Sequence, residues 1–330
     1  MNKKKIRLLI GGIALALILG VSGWLIWGSS RSPKIGICIY DASDAFELAY
    51  AQTLEAMLTE KGYTVTLKDG KNDQTLQLQQ IDAFIKEEYD ALVVNPVMTF
   101  AADQIIERVK QANIPAVFVN REPGTEAMTI WDRVSYVGSD AGRLGTLQGQ
   151  IILQTPDRGD INGDGVVSYL MIQGIPVSLD TKVRTENAIK ALEDAGVSVN
   201  ALKIISADGD RGKSSQMCAG SLSEFGKDIE VAFCNDDAMA LGALQAIEDG
   251  GRQVGKDIYL VGIGGEIEAL NSISTGDMTG TVMADIQGLS QKTAEVLGQL
   301  LDGQTPPQKN YVNQIVVTAE NVSQYMYIDE

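Results

Sequence analysis

From Asp160 to Gly165 the chain reads DINGDG, which places the oxygen-bearing side chains of Asp160, Asn162 and Asp164 at alternate positions. Gly165 stands where a calcium-binding loop makes its sharp turn. The next donors in such a loop would be the backbone carbonyl of Val166 and the side chain of Ser168. At the twelfth position, where a bidentate Glu closes a loop of this kind, the chain has Met171. A thioether is a poor ligand for a hard cation. The segment is therefore either a polar turn between a helix and a strand, or a Ca2+ site closed by a carboxylate from elsewhere.

Other chemistry is restricted by what the chain lacks. It has no His in 330 residues, which removes the usual general base of a triad and the commonest transition-metal ligand. Its cysteines, Cys38, Cys218 and Cys234, are odd in number and widely spaced, which reads as buried thiols. A formal charge of −16 argues against nucleic-acid binding, because phosphates demand the opposite sign.

The elements that must position any site alternate. Strand-like apolar runs fall at 34–40, 64–68, 91–95, 115–120 and 134–138, and again at 167–173, 202–206, 230–234 and 258–263. Amphipathic helical stretches lie between them, among them 46–61, 75–88, 141–154, 181–195, 212–225 and 236–249. This pattern predicts an α/β protein with parallel sheets covered on both faces, and the length suits two domains of roughly 150 residues. Before them, Leu8 to Trp27 is a run of 20 uncharged residues behind the basic MNKKKIR. That run is long enough to cross about 30 Å of hydrocarbon as a helix. The lysines place the short tail in the cytoplasm and the bulk of the chain outside, and Trp24 and Trp27 mark the outer interface. Residues 1–30 are read as an uncleaved membrane anchor, with a cleaved signal peptide as the competing reading.

In parallel sheets, ligands gather beyond the carboxyl ends of the strands. Those ends carry Asp41, Asp44 and Phe46; Asn95; Asn120 and Arg121; Asp180 and Arg184; and Asn235, Asp236 and Asp237. Acids, amides, a guanidinium and one aromatic ring, with no nucleophile–base pair, make a hydrogen-bonding site suited to a polyhydroxyl ligand. Each residue also has a plainer role open to it: Asp44 and Asp180 can cap helices, Asn95 can order a turn, and Phe46 can belong to the core.

Taken in order, these residues resemble the periplasmic galactose/glucose-binding proteins, of the type I solute-binding fold. The resemblance spans nearly all of 34–320. Its anchors are KIGICIYDASDAF, NDQ at 72–74, VFVNREP at 117–123, SYVGSDAGRLGTLQG at 135–149, DINGDG, the stretch 174–189, NDDAMALGALQAI at 235–247 and GTVMADIQ at 280–287. It implies two Rossmann-like lobes joined by three crossings. The first lobe would hold 34–139 and 286–318, the second 140–285 and 319–330, with crossings near 139–140, 284–285 and 318–320. In that family a distant Glu closes the calcium loop, and the matching residue is Glu230. The implied ligand set is Asp160, Asn162, Asp164, Val166, Ser168 and Glu230.

The resemblance also implies sugar contacts from Asp44, Phe46 and Asn120 in one lobe and Asp180, Arg184 and Asp236 in the other. Arg121 replaces a family Lys, and the family's His, second stacking Trp, Asp and final Asn become Ser178, Gly209, Gly264 and Ala284. The family's Asn before DAMA is Asp236. Glucose or galactose is therefore not implied as such; a monosaccharide-like small molecule is. The expected protein is an extracytoplasmic, monomeric binding protein that delivers its ligand to an ABC importer. The alternative is a membrane-anchored sensor signalling to a kinase or chemoreceptor. A repressor of the same fold is disfavoured, because a membrane segment stands where its DNA-binding helices would be. An enzyme would need chemistry from a carboxylate pair such as Asp44 and Asp180.

Overall fold

The computed structural model describes residues 31–326. The expected membrane anchor lies outside them; among the described residues no helix is long and apolar enough to cross a membrane.

The first sheet has six parallel strands in the order β11-β5-β4-β3-β1-β2. These are β1 (Lys34–Ile39), β2 (Thr64–Asp69), β3 (Ala91–Val94), β4 (Ala116–Val119), β5 (Val134–Gly138) and β11 (Lys309–Tyr311). The second has four parallel strands in the order β7-β6-β8-β9, namely β6 (Val166–Gln173), β7 (Ser198–Ser206), β8 (Val231–Cys234) and β9 (Tyr259–Val261). Strands such as β3, β4 and β8 are buried at every residue, as a sheet packed on both faces requires.

Each sheet carries a hydrophobic core on each face. In the first lobe, Ile35, Ile37, Leu54 and Leu297 pack on one side, and Phe84, Leu92, Ile106 and Phe118 on the other. The second lobe repeats this, with Leu170, Cys234 and Leu260 on one face and Met171, Phe233 and Val261 on the other. All three cysteines are free and buried.

Aspartates begin many of the helices. Asp44 caps α1 (Ala45–Glu60), Asp73 caps α2 (Gln74–Lys86) and Asp140 caps α5 (Ala141–Leu153). Asp210 caps α7 (Arg211–Phe225), Asp236 caps α8 (Asp237–Asp249) and Asp285 caps α10 (Ile286–Leu301). Each carboxylate accepts otherwise orphaned N–H groups of the first turn, worth about 1 kcal/mol apiece. The helix α3 (Ala102–Ala112) and the short α4 (Thr125–Met128) complete the first lobe. In the second, α6 (Leu179–Asp194) follows β6 and α9 (Ile267–Thr275) follows β9.

The chain passes between lobes after β5, where α5 packs against α6, and after β10 (Thr281–Ala284), where α10 returns Leu289 and Leu297 to the first core. The third passage is at Val312–Asn313, not at 318–320 as expected from the sequence. The strand β12 (Gln314–Val317) pairs antiparallel with β10 and buries Val317 in the second lobe's core, so 314–318 belong to that lobe.

Candidate functional site

Parallel strands deliver their following loops to one edge of each sheet, and a cavity of about 310 Å³ opens between the two edges. Tyr40, Asp41, Ser43 and Asp44 line it from the first lobe, and Arg211, Glu266, Ile267 and Glu268 from the second. A small apolar recess of about 40 Å³ is lined by Phe46 and Ala49 of the first lobe with Gly265, Ile267, Leu270 and Met283 of the second. Of the residues singled out in the sequence, Asp41 and Asp44 line the cavity and Phe46 the recess.

The first-lobe wall is a polar chain. The Tyr40 hydroxyl donates to Asp44, whose other oxygen accepts the Glu47 N–H at 3.2 Å. Asp44 thus caps a helix and faces the cavity at once. The Arg121 guanidinium lies 3.5 Å from the centroid of the Tyr40 ring and donates to the Val97 carbonyl at 2.9 Å. Such stacking fixes the charge over the ring face. Asn120 takes a left-handed backbone, φ 59°, which turns its amide to donate to the Glu47 carboxylate.

Glu47 was not named from the sequence, and Asn95 was named there as a strand-end residue; both are fully buried here. Burial, with Asp44 adding repulsion, pushes the Glu47 carboxyl up to about 7, while Asn95, Asn120 and Arg121 oppose the shift. Glu47 and Asn95 thus meet side chain to side chain beneath the first-lobe wall. The available signal for Asn95 was its position just past a strand end. Glu47 reads locally as an ordinary first-turn acid of a helix.

In the second lobe, Asp236 caps α8 through the Met239 N–H at 2.8 Å, and burial raises its carboxyl, with Arg184 opposing. Neighbouring Asp237 is fully buried and ties down the loop after β9. It accepts from Gly265 N at 2.6 Å, Glu266 N at 3.0 Å and Thr281 Oγ1 at 2.7 Å. Burial still lifts it to about 6. Glu266, also missed in the sequence, is pushed up to about 7 by burial and then by Asp237, Asp236, Asp44 and Glu268.

Asp180 and Arg184 are placed differently from expectation. They form no ion pair with each other: Arg184 Nη1 donates to the Asn235 carbonyl at 3.1 Å, and its Nε has no partner. Nor does Asp180 cap α6; Ser178 occupies that position without a side-chain bond. Burial, and after it Asp180 and Glu122, hold the Tyr136 phenol of the first lobe well above its usual range, with Arg184 opposing. Asp180, Arg184, Asp236 and Asn120 do not line the 310 Å³ cavity.

The DINGDG loop is held by its own carboxylates. Asp160 accepts from the N–H groups of Gly163, Asp164 and Gly165 at 2.9–3.1 Å, and Asp164 accepts from Val166 N at 2.9 Å and from the Asn162 amide at 3.2 Å. Glu230, 1% exposed, reaches it from the start of β8. Ser168, on β6, accepts from Asn200 at 3.4 Å. Met171 lies in the core, away from the loop. Among the described residues no three His, Cys, Asp or Glu side chains converge as a metal cluster, because the loop acids turn to backbone N–H groups instead. The donors themselves fit Ca2+: all are oxygens, and a buried carboxylate closes the loop where Met171 does not.

The sheets, the lobes and the cleft they enclose define a two-lobed binding protein. The family model described as "Periplasmic binding protein domain" matches residues 35–305, and the chain belongs to that family. Among curated relatives, the D-galactose/methyl-galactoside binding periplasmic protein of Haemophilus influenzae is 30% identical over 298 residues, covering 89% of this chain and 88% of its own. The ribose import binding protein of Bacillus subtilis is 25% identical, covering 84% of each. A solved ABC transporter solute-binding protein from Bacillus halodurans, with bound myo-inositol, superposes with a TM-score of 0.74 at 26% identity. That match covers 91% of this chain and 99% of the other. These relatives are binding proteins of transport systems, not enzymes.

Proposed function

We propose that this protein binds a monosaccharide or related polyhydroxylated small molecule outside the cytoplasm and delivers it to an ABC importer. The observation that carries the reading is the interlobe cavity, whose walls are the strand-end polar residues of both lobes. A ligand in contact with Asp44 and Asn120 on one side and with Arg184, Asp236 and Glu266 on the other stabilises the closed arrangement, since only there are both sets satisfied. Phe46 offers the face on which the apolar side of a ring rests. The relatives' names, galactose, ribose and inositol binders among them, support the ligand class.

On this reading Asp160, Asn162, Asp164, the Val166 carbonyl, Ser168 and Glu230 hold Ca2+. The ion supplies cross-linking charge that fastens the loop to β8 and takes no part in ligand chemistry. The protein acts as a monomer, tethered by its N-terminal segment. The uncharged run from Leu8 to Trp27 equally suits a tethered sensor that reports the same ligand to a membrane partner. Melting of the full chain against a panel of sugars and cyclitols tests the ligand class, because binding to the native state raises Tm. No upward shift with any member would overturn it.

A further inference from the structure

Resting on the sugar-binding reading above, we propose that the ligand carries a methyl group, on carbon as in a deoxy sugar or on oxygen as in a methyl ether, and that the apolar recess beside the cavity receives it.

The recess adjoins the larger cavity, for Ile267 lines both. Both lobes build it. Phe46 and Ala49 of α1 and Ile286 of α10 come from the first, and Ile267 and Leu270 of α9 with Met283 of β10 come from the second. No residue of its lining has a polar side chain. The backbone donors beside its second-lobe wall are spent as well. Gly264 N donates to the Val282 carbonyl at 2.9 Å, and Gly265 N and Glu266 N donate to Asp237 at 2.6 and 3.0 Å. The boundary is firm on that side. Leu270 and Met283 are buried in the second lobe's core, and a Cβ on Gly265 would stand 2.7 Å from the Met283 Cβ.

Size decides what enters. An apolar cavity of about 150 Å³ takes a benzene ring. One of about 40 Å³ takes a group of one or two carbons and no ring. The hydroxylated ring therefore belongs in the 310 Å³ cavity, between Asp44 and Glu266, and a short substituent reaches past Ile267 into the recess. A hydroxymethyl would fit by volume, but its hydroxyl would leave water and meet no polar side chain there. A methyl has no hydrogen bond to lose and gains contact with Phe46 and Met283. Adding one methyl-sized group in an apolar pocket changes affinity by roughly tenfold or more.

Isothermal titration of the full chain with matched pairs tests this. D-fucose against D-galactose and D-quinovose against D-glucose report a methyl on carbon. Methyl β-D-galactoside against D-galactose and pinitol against D-chiro-inositol report a methyl on oxygen. In at least one pair the methyl-bearing member is expected to bind ten times or more tighter than its parent. Ala49→Leu fills the recess, and Ala49→Ser places a hydroxyl at it with little change of volume. In each variant, with folding checked by its melting curve, the methyl-to-parent affinity ratio should fall at least fivefold. Where Ala49→Leu fails to fold, Ala49→Ser decides alone. A parent that binds as tightly as its methyl-bearing partner in every pair makes the recess a packing gap between lobes; that result overturns the proposal and leaves the sugar-binding reading standing. An unchanged ratio in the folded variants overturns the assigned position of the methyl. If no member of any pair binds, both readings fail.

Discussion

Glu230 Oε1 accepts the backbone N–H of Asn162 at 2.9 Å, joining the first residue of a β-strand's approach to a loop 68 positions earlier. The other oxygen, Oε2, accepts from Ser168 N at 2.8 Å. One buried side chain thus fixes both the tip and the exit of the DINGDG loop, with or without an ion.

Replacing Glu230 by Gln turns one of these acceptors into a donor facing an N–H. The expected loss is about 1–3 kcal/mol, the cost of leaving a buried group unsatisfied. If Ca2+ occupies the loop, chelator lowers the melting temperature of the unaltered protein and has a smaller effect on Glu230→Gln. Identical curves with and without chelator in the unaltered protein would show that the loop is only a turn.

The stability of the ligand-free protein should fall as pH rises from about 4 to 7. Glu47 and Glu266 are held up at about 7, and Asp237 at about 6, against ordinary values of 4.5 and 3.8. In that window the folded state keeps protons the unfolded chain has released. The stabilisation is therefore full below the unfolded values and is lost as pH climbs through the folded ones. Urea unfolding at pH 5 and pH 8 measures it, and Glu47→Gln, which cannot ionise, should flatten the profile. A stability that rises over the same interval would contradict the burial of these acids.

Asp237 binds no ligand in this arrangement but carries the backbone of Gly265 and Glu266. Asp237→Ala strands two backbone donors and the Thr281 hydroxyl, with an expected cost of about 3 kcal/mol or more. It should also weaken ligand binding, because the Glu266 loop is no longer held. Asp237→Asn keeps one acceptor oxygen and should lose less of both. Equal melting temperatures for the unaltered and Ala proteins would refute the assignment.

Gly145 sets the distance between α5 and α6. A Cβ there would stand 2.2 Å from the Arg184 carbonyl oxygen, so Gly145→Ala must push the helices apart. Overpacking of this kind costs about 1–3 kcal/mol. It also moves Arg184, whereas Arg184→Ala removes only the guanidinium. Both changes should weaken binding of the best ligand, but only Gly145→Ala should lower the melting temperature by several degrees. Unaltered binding in Arg184→Ala would remove that residue from the site.

Much of the fold was legible in the residues. Alternating apolar runs and helical periods repeat every few positions, so βα alternation, buried thiols and parallel sheets could be read locally. The aspartates following strands were legible as caps, and Asp44 is one. The closure of the calcium loop by Glu230 came from family resemblance, since nothing local links residues 162 and 230. The tertiary structure alone decided which acids meet. Glu266 looks ordinary in sequence and lines the cavity only because strand order and lobe placement bring the loop after β9 to the ends of β1. The same holds for Arg184: its spacing from Asp180 permits an i,i+4 pair, but the Asn235 carbonyl at the end of β8 draws it away. The third crossing followed the same logic, for the apolar QIVV suits either lobe until pairing with β10 selects one. Local spacing reports what a residue can do; which partner it meets depends on contacts between distant segments.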